Sequence, residues 1–244
     1  LLVMGSVEKL VMSMESIYDV LTALEKIGQV TDLEIERTEG VETICQADES
    51  GMKVELNNVE FTYPDGDKSI LNGVSLEIQA GDKLVVTGPN GSGKSTLLQI
   101  IAGLYSVKSG SINYNGLPIG NLNLSALRSE IGDCLTHEQL FDGTVLENIS
   151  MGRPGATFEN VRWAVENLKL DKFVKELPNG YDSHIGPLGR KLPQSVIQKL
   201  LLARSIADRP KLLLLEDALE HLDATERKAI IDFLVKPENE WTIV

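Results

Sequence analysis

Apolar residues near the N-terminus recur at alternating spacings of four and three residues, at Val3, Val7, Leu10, Met14, Ile17, Leu21 and Leu24. This spacing is typical of one face of an amphipathic helix, and Gly28 is placed to end that helix. From residue 29 to 50, acidic residues mix with small and β-branched ones without a sustained period. The pattern therefore predicts a helix over residues 1–28, a solvated acidic linker over 29–50 and a folded domain over 51–244.

The pattern changes to that of an alternating α/β chain from residue 52 onwards. Alternating or continuous apolar runs predict strands at 54–61, 71–78, 84–86, 212–215 and 241–244. Helical periodicity predicts helices at 96–104, 159–168, 194–207 and 225–234. Strands that alternate with helices around buried apolar strands imply an α/β core with a mainly parallel sheet.

Charge and composition narrow the classes of function. The 244 residues carry 23 basic and 36 acidic side chains, which gives a formal net charge of −13. A nucleic-acid partner is not expected, because phosphate contacts along a nucleic acid need clustered positive charge. No apolar run approaches the roughly 20 residues of a membrane-spanning helix. We therefore expect a soluble fragment, and the missing initial Met indicates a piece of a longer protein.

A glycine-rich loop carries the most specific chemical signal. Residues 88–95 follow the pattern G-x-x-x-x-G-K-[ST], between the predicted strand 84–86 and the predicted helix 96–104. In this motif backbone N–H groups curl around phosphates, the Lys donates to the β and γ oxygens, and the Ser hydroxyl ligates Mg²⁺. The loop predicts phosphate binding by Gly88, Pro89, Asn90, Gly91, Ser92, Gly93, Lys94 and Ser95, with Ser95 as a Mg²⁺ ligand.

A carboxylate that binds the metal ion is expected beside such a loop, at the end of a buried strand. The apolar strand 212–215 is followed at once by Glu216 and Asp217. These two side chains are therefore the candidates for the metal-binding and catalytic carboxylates.

Four further segments make the chain resemble the nucleotide-binding domain of an export-type ABC transporter, namely residues 61–64, 141–149, 177–182 and 202–206. The resemblance spans residues 52–244, and residues 1–28 are similar to the cytoplasmic end of that family's last transmembrane helix. It implies a P-loop NTPase core with an antiparallel β subdomain and a helical subdomain at about 125–205. It also implies that the chain is truncated before the family's switch His, which would follow Val244.

The resemblance assigns roles to individual residues. Tyr63 would stack on adenine, although a Tyr of the core would explain the same residue. Thr96 would join the loop in holding the phosphates. Glu216 occupies the place of the family's metal ligand, Asp217 that of its general base and Thr136 that of its Q-loop Gln, which makes these three the candidate catalytic residues.

Four departures from the family pattern bear on catalysis and docking. The family's Asp-Glu order is reversed at Glu216 and Asp217, Thr136 is shorter than the Gln it replaces, and the family's Glu ahead of the signature is Pro187. The signature itself, L-S-G-G-Q in the family, reads Leu-Pro-Gln-Ser-Val at 192–196. Misplacement by about 1 Å can cost about 10²-fold in rate, so we expect slow hydrolysis. His137 is either a substitute ligand or base or an exposed loop residue.

The sequence thus predicts an ATP-binding domain that couples binding and slow hydrolysis of Mg²⁺·ATP to transmembrane transport. Its expected partners are membrane-spanning domains of the same polypeptide and a second nucleotide-binding domain, in a homodimer or a heterodimer. The expected location is the cytoplasmic face of the cell membrane. Two alternatives remain open: a catalytically inactive module that acts as an ATP-dependent dimerisation or regulatory unit, and a soluble non-transporter ABC ATPase.

Overall fold

A computed structural model describes residues 2–32, 36, 39–44, 51–64, 66–136 and 138–244, with the backbone alone for residues 2–11 and 30. The chain divides into two compact units, Leu1–Arg37 and Thr38–Val244. Over the described ranges, no helix combines the length and the apolar character that crossing a membrane requires.

The first unit is built around a single described helix, α1, over Leu2–Thr31. The predicted helix is confirmed, but the prediction that it ends at Gly28 is wrong. Gly28 keeps the helical conformation, and its carbonyl oxygen accepts the N–H of Asp32 at 2.8 Å. The Thr31 hydroxyl donates to the Ile27 carbonyl at 3.1 Å and satisfies another carbonyl of the last turn.

The second unit contains an antiparallel sheet in the order β2-β1-β3-β4. Its strands are β1 (Val54–Phe61), β2 (Leu71–Ile78), β3 (Ser109–Tyr114) and β4 (Leu117–Pro118). Buried apolar side chains of this sheet share one core with helix α2, which spans Lys94–Ile101. This sheet is the antiparallel β subdomain that was predicted, and it supports the helix that follows the glycine-rich loop.

A parallel sheet in the order β5-β8-β9 forms the centre of the second unit. It consists of β5 (Ile131–Cys134), β8 (Leu212–Leu215) and β9 (Thr242–Ile243). The pairing of Cys134 with Leu215 brings the carboxyl ends of β5 and β8 to the same edge. Four consecutive leucines form β8, and the first three are fully buried, as expected for a strand covered on both faces.

Helices surround the parallel sheet. They are α3 (Leu124–Ser129), α4 (Val145–Ser150), α5 (Phe158–Asn167), α6 (Asp171–Glu176), α7 (Gln194–Ile206) and α8 (Ala224–Leu234). Two short strands, β6 (Gly143–Thr144) and β7 (His184–Ile185), pair as a separate antiparallel sheet, with α4, α5 and α6 between them in sequence. The mixed α/β fold with a parallel core is therefore confirmed.

The predicted strand at 84–86 is wrong as a regular strand. The structure has a single parallel bridge between Lys83 and Ile243, with the Leu84 N–H donating to the Ile243 carbonyl at 2.8 Å. Val85 is 80% exposed. Beyond Leu84, no strand among the described residues pairs with this segment, so it remains an extended approach to the loop.

The stretch 29–50 is not solvated throughout, contrary to the prediction. Ile44 is 5% exposed, and its carbonyl oxygen accepts the side-chain amide of Asn115 at 3.1 Å. Val41 bridges to Leu122. Residues 33–35, 37–38 and 45–50 of the predicted linker lie outside the described residues.

A close approach at Gly132 sets how tightly α7 packs on β5. A Cβ atom at Gly132 would collide with the carbonyl oxygen of Ser205 and lie 2.8 Å from the ring of Pro210. We expect Gly132→Ala to lower the free energy of unfolding by about 1–3 kcal/mol, because backbone must shift to admit the methyl group. Gly120→Ala is the matched control, since a Cβ there meets nothing within 4 Å. Equal urea midpoints for the two variants would contradict the packing.

Candidate nucleotide-binding site

The glycine-rich loop leads into the first turn of α2. Gly93 is the N-cap residue, with φ 90° and ψ 12°, and Gly91 has φ 77°. Both angles lie in the left-handed region that glycine adopts without a Cβ penalty. Because Gly93 has no side chain to cap α2, it does not compete with an anion for the N–H groups of the first turn.

Lys94 folds back over the loop. Its Nζ atom donates to the carbonyl oxygens of Gly88 at 2.9 Å and of Pro89 at 3.0 Å. These bonds hold the curve of the loop and place a positive charge inside it. Ser95, on the same helical turn, is exposed, so its hydroxyl can reach a bound ion.

Tyr63 is fixed against α2 by its hydroxyl group. The hydroxyl lies 3.0 Å from the Thr96 hydroxyl and donates to the Gln99 side-chain oxygen at 3.1 Å. The half-buried ring makes edge contacts with Phe61 and Tyr105, with centroids 4.9 and 5.3 Å away. Tyr63 therefore stands beside the loop and also has the core contacts of the alternative interpretation. Its role toward adenine stays a prediction.

The parallel pairing of β5 and β8 brings two of the predicted catalytic residues together. The Glu216 N–H donates to the Cys134 carbonyl at 3.0 Å, which extends the ladder past both strands. Thr136 then donates its backbone N–H to Oε2 of Glu216 at 3.3 Å. The contact uses the Thr136 backbone, so it does not depend on the side chain that replaces the family's Gln.

Lys94, Glu216 and Asp217 line one cavity of about 350 Å³. The loop and the carboxylates are thus neighbours, as their positions in the sequence predicted. Most of the cavity wall is aliphatic, however, with Leu98 and Leu219 among its residues. A triphosphate would lose its hydration against the aliphatic wall without gaining partners, so the candidate phosphate position is the open loop at the N-terminus of α2.

The residues that could hold a metal ion offer oxygen atoms. They are the Ser95 hydroxyl and the Glu216 carboxylate. Within the described residues, no group of three His, Cys, Asp or Glu side chains converges on a metal position. A hard cation with few protein ligands fits this set, because Mg²⁺ commonly binds one or two protein oxygens together with substrate phosphates.

A partly buried ion pair anchors the segment that carries Thr136. Arg204 Nη1 lies 3.8 Å from Oε2 of Glu138 and donates to the Gln139 carbonyl at 3.1 Å. Burial raises the pKa of Glu138 to about 7, and Asp133 adds to the rise, while the Leu135 N–H and two arginines oppose it. Glu138 was not predicted as a site residue from the sequence. The one feature that could have pointed to it is a charged residue two positions after Thr136.

The segment that replaces the signature begins α7. Pro193 is the N-cap residue, and its carbonyl accepts the N–H groups of Val196 and Ile197 at 3.0 and 3.1 Å. Within the described parts of the chain, no hydrogen bond or ion pair joins residues 192–196 to the phosphate loop. Pro187 begins a short 3₁₀ turn, Pro187–Gly189. His137 lies outside the described residues.

A strand-like segment, a glycine-rich loop and a helix, with carboxylates at the end of a neighbouring parallel strand, define a P-loop nucleotide-binding fold. The sequence profile of the ABC transporter family matches residues 71–220. Because this match covers more than half of the chain, the protein belongs to the ABC transporter family.

Individual relatives give the same result. The multidrug resistance protein pgp-1 of Caenorhabditis elegans is 34% identical over 215 residues, which are 86% of this chain and 16% of that protein. A multidrug efflux ATP-binding/permease protein of Mycobacterium bovis (strain BCG / Pasteur 1173P2) is 36% identical over 176 residues, 72% of this chain and 15% of that protein.

A solved structure of a bacterial Atm1-family ABC exporter with ATP bound is also similar, with a TM-score of 0.81 and 29% identity. The match covers 93% of this chain and 39% of that one. The resemblance to the nucleotide-binding domain of an ABC exporter is therefore confirmed, while the chain spans well under half the length of these relatives.

Proposed function

We propose that the chain binds Mg²⁺·ATP at the loop from Gly88 to Thr96 and couples binding and slow hydrolysis to transport across a membrane. One observation carries this proposal. The loop leads into the N-terminus of α2, whose first residue, Lys94, lines the same cavity as Glu216 and Asp217. An anion-binding helix end beside two carboxylates is the arrangement that phosphoryl transfer needs.

The chain's own residues divide the work between binding and chemistry. Backbone N–H groups of the loop and the Lys94 ammonium hold the phosphates, and Tyr63 supports the adenine. Ser95 and Glu216 would hold Mg²⁺, which neutralises phosphate charge when it is bound. Asp217 orients the attacking water and accepts its proton, and Thr136 holds Glu216 in place through its backbone N–H.

Slow hydrolysis follows from the order of the two carboxylates. Glu216 has one methylene group more than the family's Asp at the metal position, and Asp217 has one fewer than its Glu at the base position. General-base catalysis depends on hydrogen-bond reach, and an error of about 1 Å can cost about 10²-fold in rate. Binding is not affected in the same way, because the loop supplies most phosphate contacts through its backbone.

The partners proposed are membrane-spanning domains of the same polypeptide and a second nucleotide-binding domain. Support comes from the relatives, of which this chain matches only a part. On this proposal the N-terminal helix, predicted at residues 1–28 and extending to Thr31 in the structure, continues a membrane-spanning helix. The stretch from there to residue 50 forms a connection, and 51–244 form the ATP-binding domain, with its helical part at about 125–205. The domain then lies at the cytoplasmic face of the cell membrane.

A second candidate is a catalytically inactive module in which ATP acts as a dimerisation or regulatory ligand. The signature segment favours it, because Pro193 lacks the hydroxyl and the backbone N–H that a Ser would offer to a γ-phosphate. Gln194 and Ser195 replace two glycines and add side chains where backbone would otherwise approach a nucleotide. The two candidates differ in one quantity, which is the release of phosphate above the background of a variant that cannot bind ATP.

Lys94→Ala tests nucleotide binding. We expect isothermal titration with Mg²⁺·ATP to give a Kd about 10- to 100-fold higher, because charged hydrogen bonds contribute about 1.5–3 kcal/mol. Lys172→Ala is the control, since it removes the same charge from a side chain that is 86% exposed. The proposal fails if the unmodified chain does not bind Mg²⁺·ATP, or if both variants bind it equally well.

Restoring the family's order of carboxylates tests the cause of slow turnover. We expect Glu216→Asp combined with Asp217→Glu to raise the single-turnover rate of hydrolysis by up to about 10²-fold. Each single variant should gain less, because the two positions act as a unit. An unchanged rate in the double variant, with ATP binding intact, would mean that the reversed order does not limit hydrolysis.

A further inference from the structure

One side chain of α7 holds both ends of the turn that follows β8. The Gln198 side-chain amide donates through Nε2 to the carbonyl oxygen of Asp217 at 2.8 Å. Its Oε1 atom accepts the backbone N–H of His221 at 2.9 Å. The two partners fix the orientation of the amide, because a carbonyl can only accept and an N–H can only donate. Segment 217–221 is thereby clamped to α7 at its first and last residues.

The clamp acts on a residue with an unusual backbone. Asp217 has φ 49°, in the left-handed region, which non-glycine residues adopt only when their surroundings hold them there. Its carbonyl oxygen is the atom that Gln198 binds. The same carbonyl oxygen also accepts the Glu220 N–H, at 3.2 Å, from within the turn. A change at Gln198 therefore removes the hydrogen bond that ties this peptide unit to α7, without touching the Asp217 carboxylate.

The rest of the turn is held by residues other than Gln198. The Arg227 guanidinium donates to the carbonyl oxygens of Leu219, Glu220 and Leu222, each at 3.1 Å. The side chain of Asp223 caps α8 by accepting the N–H groups of Thr225 and Glu226 at 2.8 Å. These contacts fix the end of the turn nearer α8. Among the described residues, the hydrogen bond to the Asp217 carbonyl from outside the turn comes from Gln198 of α7.

The neighbour of Gln198 makes α7 a firm support. Lys199, whose side chain is 7% exposed, forms an ion pair with Glu226 at 2.9 Å. The second turn of α7 and the first turn of α8 are therefore joined by a contact whose Lys199 side is nearly buried, and Gln198 extends this junction to the turn between β8 and α8. A displacement of the start of α7 is passed to Asp217 through a single amide group.

We propose that Gln198 is a positioning residue that orients Asp217 and links the segment 192–196 at the start of α7 to the hydrolytic step. The inference rests on the proposed function, in which Asp217 acts on the attacking water. Gln198 itself contacts neither the phosphate loop nor Glu216 through any hydrogen bond found within the described residues. It acts through the backbone of residues 217–221.

Two variants separate the halves of the clamp. Gln198→Leu keeps most of the side-chain volume and removes both hydrogen bonds. Gln198→Glu keeps an acceptor for the His221 N–H and loses the donor to the Asp217 carbonyl. Gln79→Leu is the matched control. The Gln79 side chain is exposed on the antiparallel sheet side of the fold, and its one side-chain hydrogen bond within the described residues goes to Glu77, at 2.8 Å.

Two measurements test whether Gln198 holds the turn and whether this affects catalysis. They are the exchange rate of the His221 amide hydrogen by NMR and the single-turnover rate of ATP hydrolysis. For Gln198→Leu we expect exchange at His221 to be about 5- to 10-fold faster, as for loss of one hydrogen bond. We expect hydrolysis to be about 10-fold slower or more, with the Kd for Mg²⁺·ATP unchanged within about twofold. Gln198→Glu should retain protection at His221 and still hydrolyse ATP more slowly.

The proposal is overturned if Gln198→Leu matches Gln79→Leu in both exchange and rate, or if exchange changes while hydrolysis does not. Absence of ATP binding in the unmodified chain would instead reject the proposed function. If the unmodified chain binds ATP without hydrolysing it, slow hydrolysis is rejected. The rate comparison is then made in the chain with Glu216→Asp and Asp217→Glu. If that chain hydrolyses ATP, Gln198→Leu must lower its rate. If it does not, the exchange of the His221 amide hydrogen tests whether Gln198 holds the turn.

Discussion

The parallel pairing of β5 with β8 is the constraint on which the candidate site depends. Register places Cys134 opposite Leu215, so both strands end at one edge and the residues after them must meet there. The N–H of Glu216 then bonds the carbonyl of Cys134, and the N–H of Thr136 reaches the Glu216 carboxylate. A shift of one residue in this register would turn β8 side chains to the opposite face and separate these groups.

Helix α7 packs against this sheet and holds other parts of the site in place. Gly132 lets α7 approach β5, and α7 in turn carries Gln198 to the turn after β8 and Arg204 to the segment around Thr136. One helix therefore supports both sides of the carboxylate site. The phosphate loop has a different support, because α2 shares its core with the antiparallel sheet and holds Tyr63 through Thr96 and Gln99.

Local sequence patterns were sufficient to predict the parts of the site whose structure depends on residues close together in the chain. The glycine motif predicted the loop, and the run of leucines predicted β8, because both signals lie within a few residues of the structure they specify. The contacts of Gln198 with Asp217 and His221 span 19 and 23 positions along the chain and leave no periodic signal. Glu138 and Ile44 were missed for the same reason, since their burial depends on distant segments.

The segment 84–86 and residue Gly28 show where one local sequence feature predicts the wrong secondary structure. Apolar residues in a row are necessary for a buried strand, but a strand also needs a neighbour. In the described part of the chain, the backbone of Leu84 bonds only to Ile243. A glycine can end a helix only if it adopts a left-handed conformation, whereas Gly28 remains helical. In both cases the pattern permitted the predicted structure, and pairing or backbone conformation decided the outcome.

The central claim is that this chain retains ATP and hydrolyses it slowly, and the identity of the bound nucleotide tests it most directly. Excess chain would be mixed with Mg²⁺ and labelled ATP, quenched after about one second, and the bound nucleotide identified. A typical turnover of roughly 10 s⁻¹ lowered about 10²-fold leaves about 0.1 s⁻¹, so the account predicts that most bound nucleotide is still ATP. Bound nucleotide that is mostly ADP at that time, or no bound nucleotide at all, would contradict it.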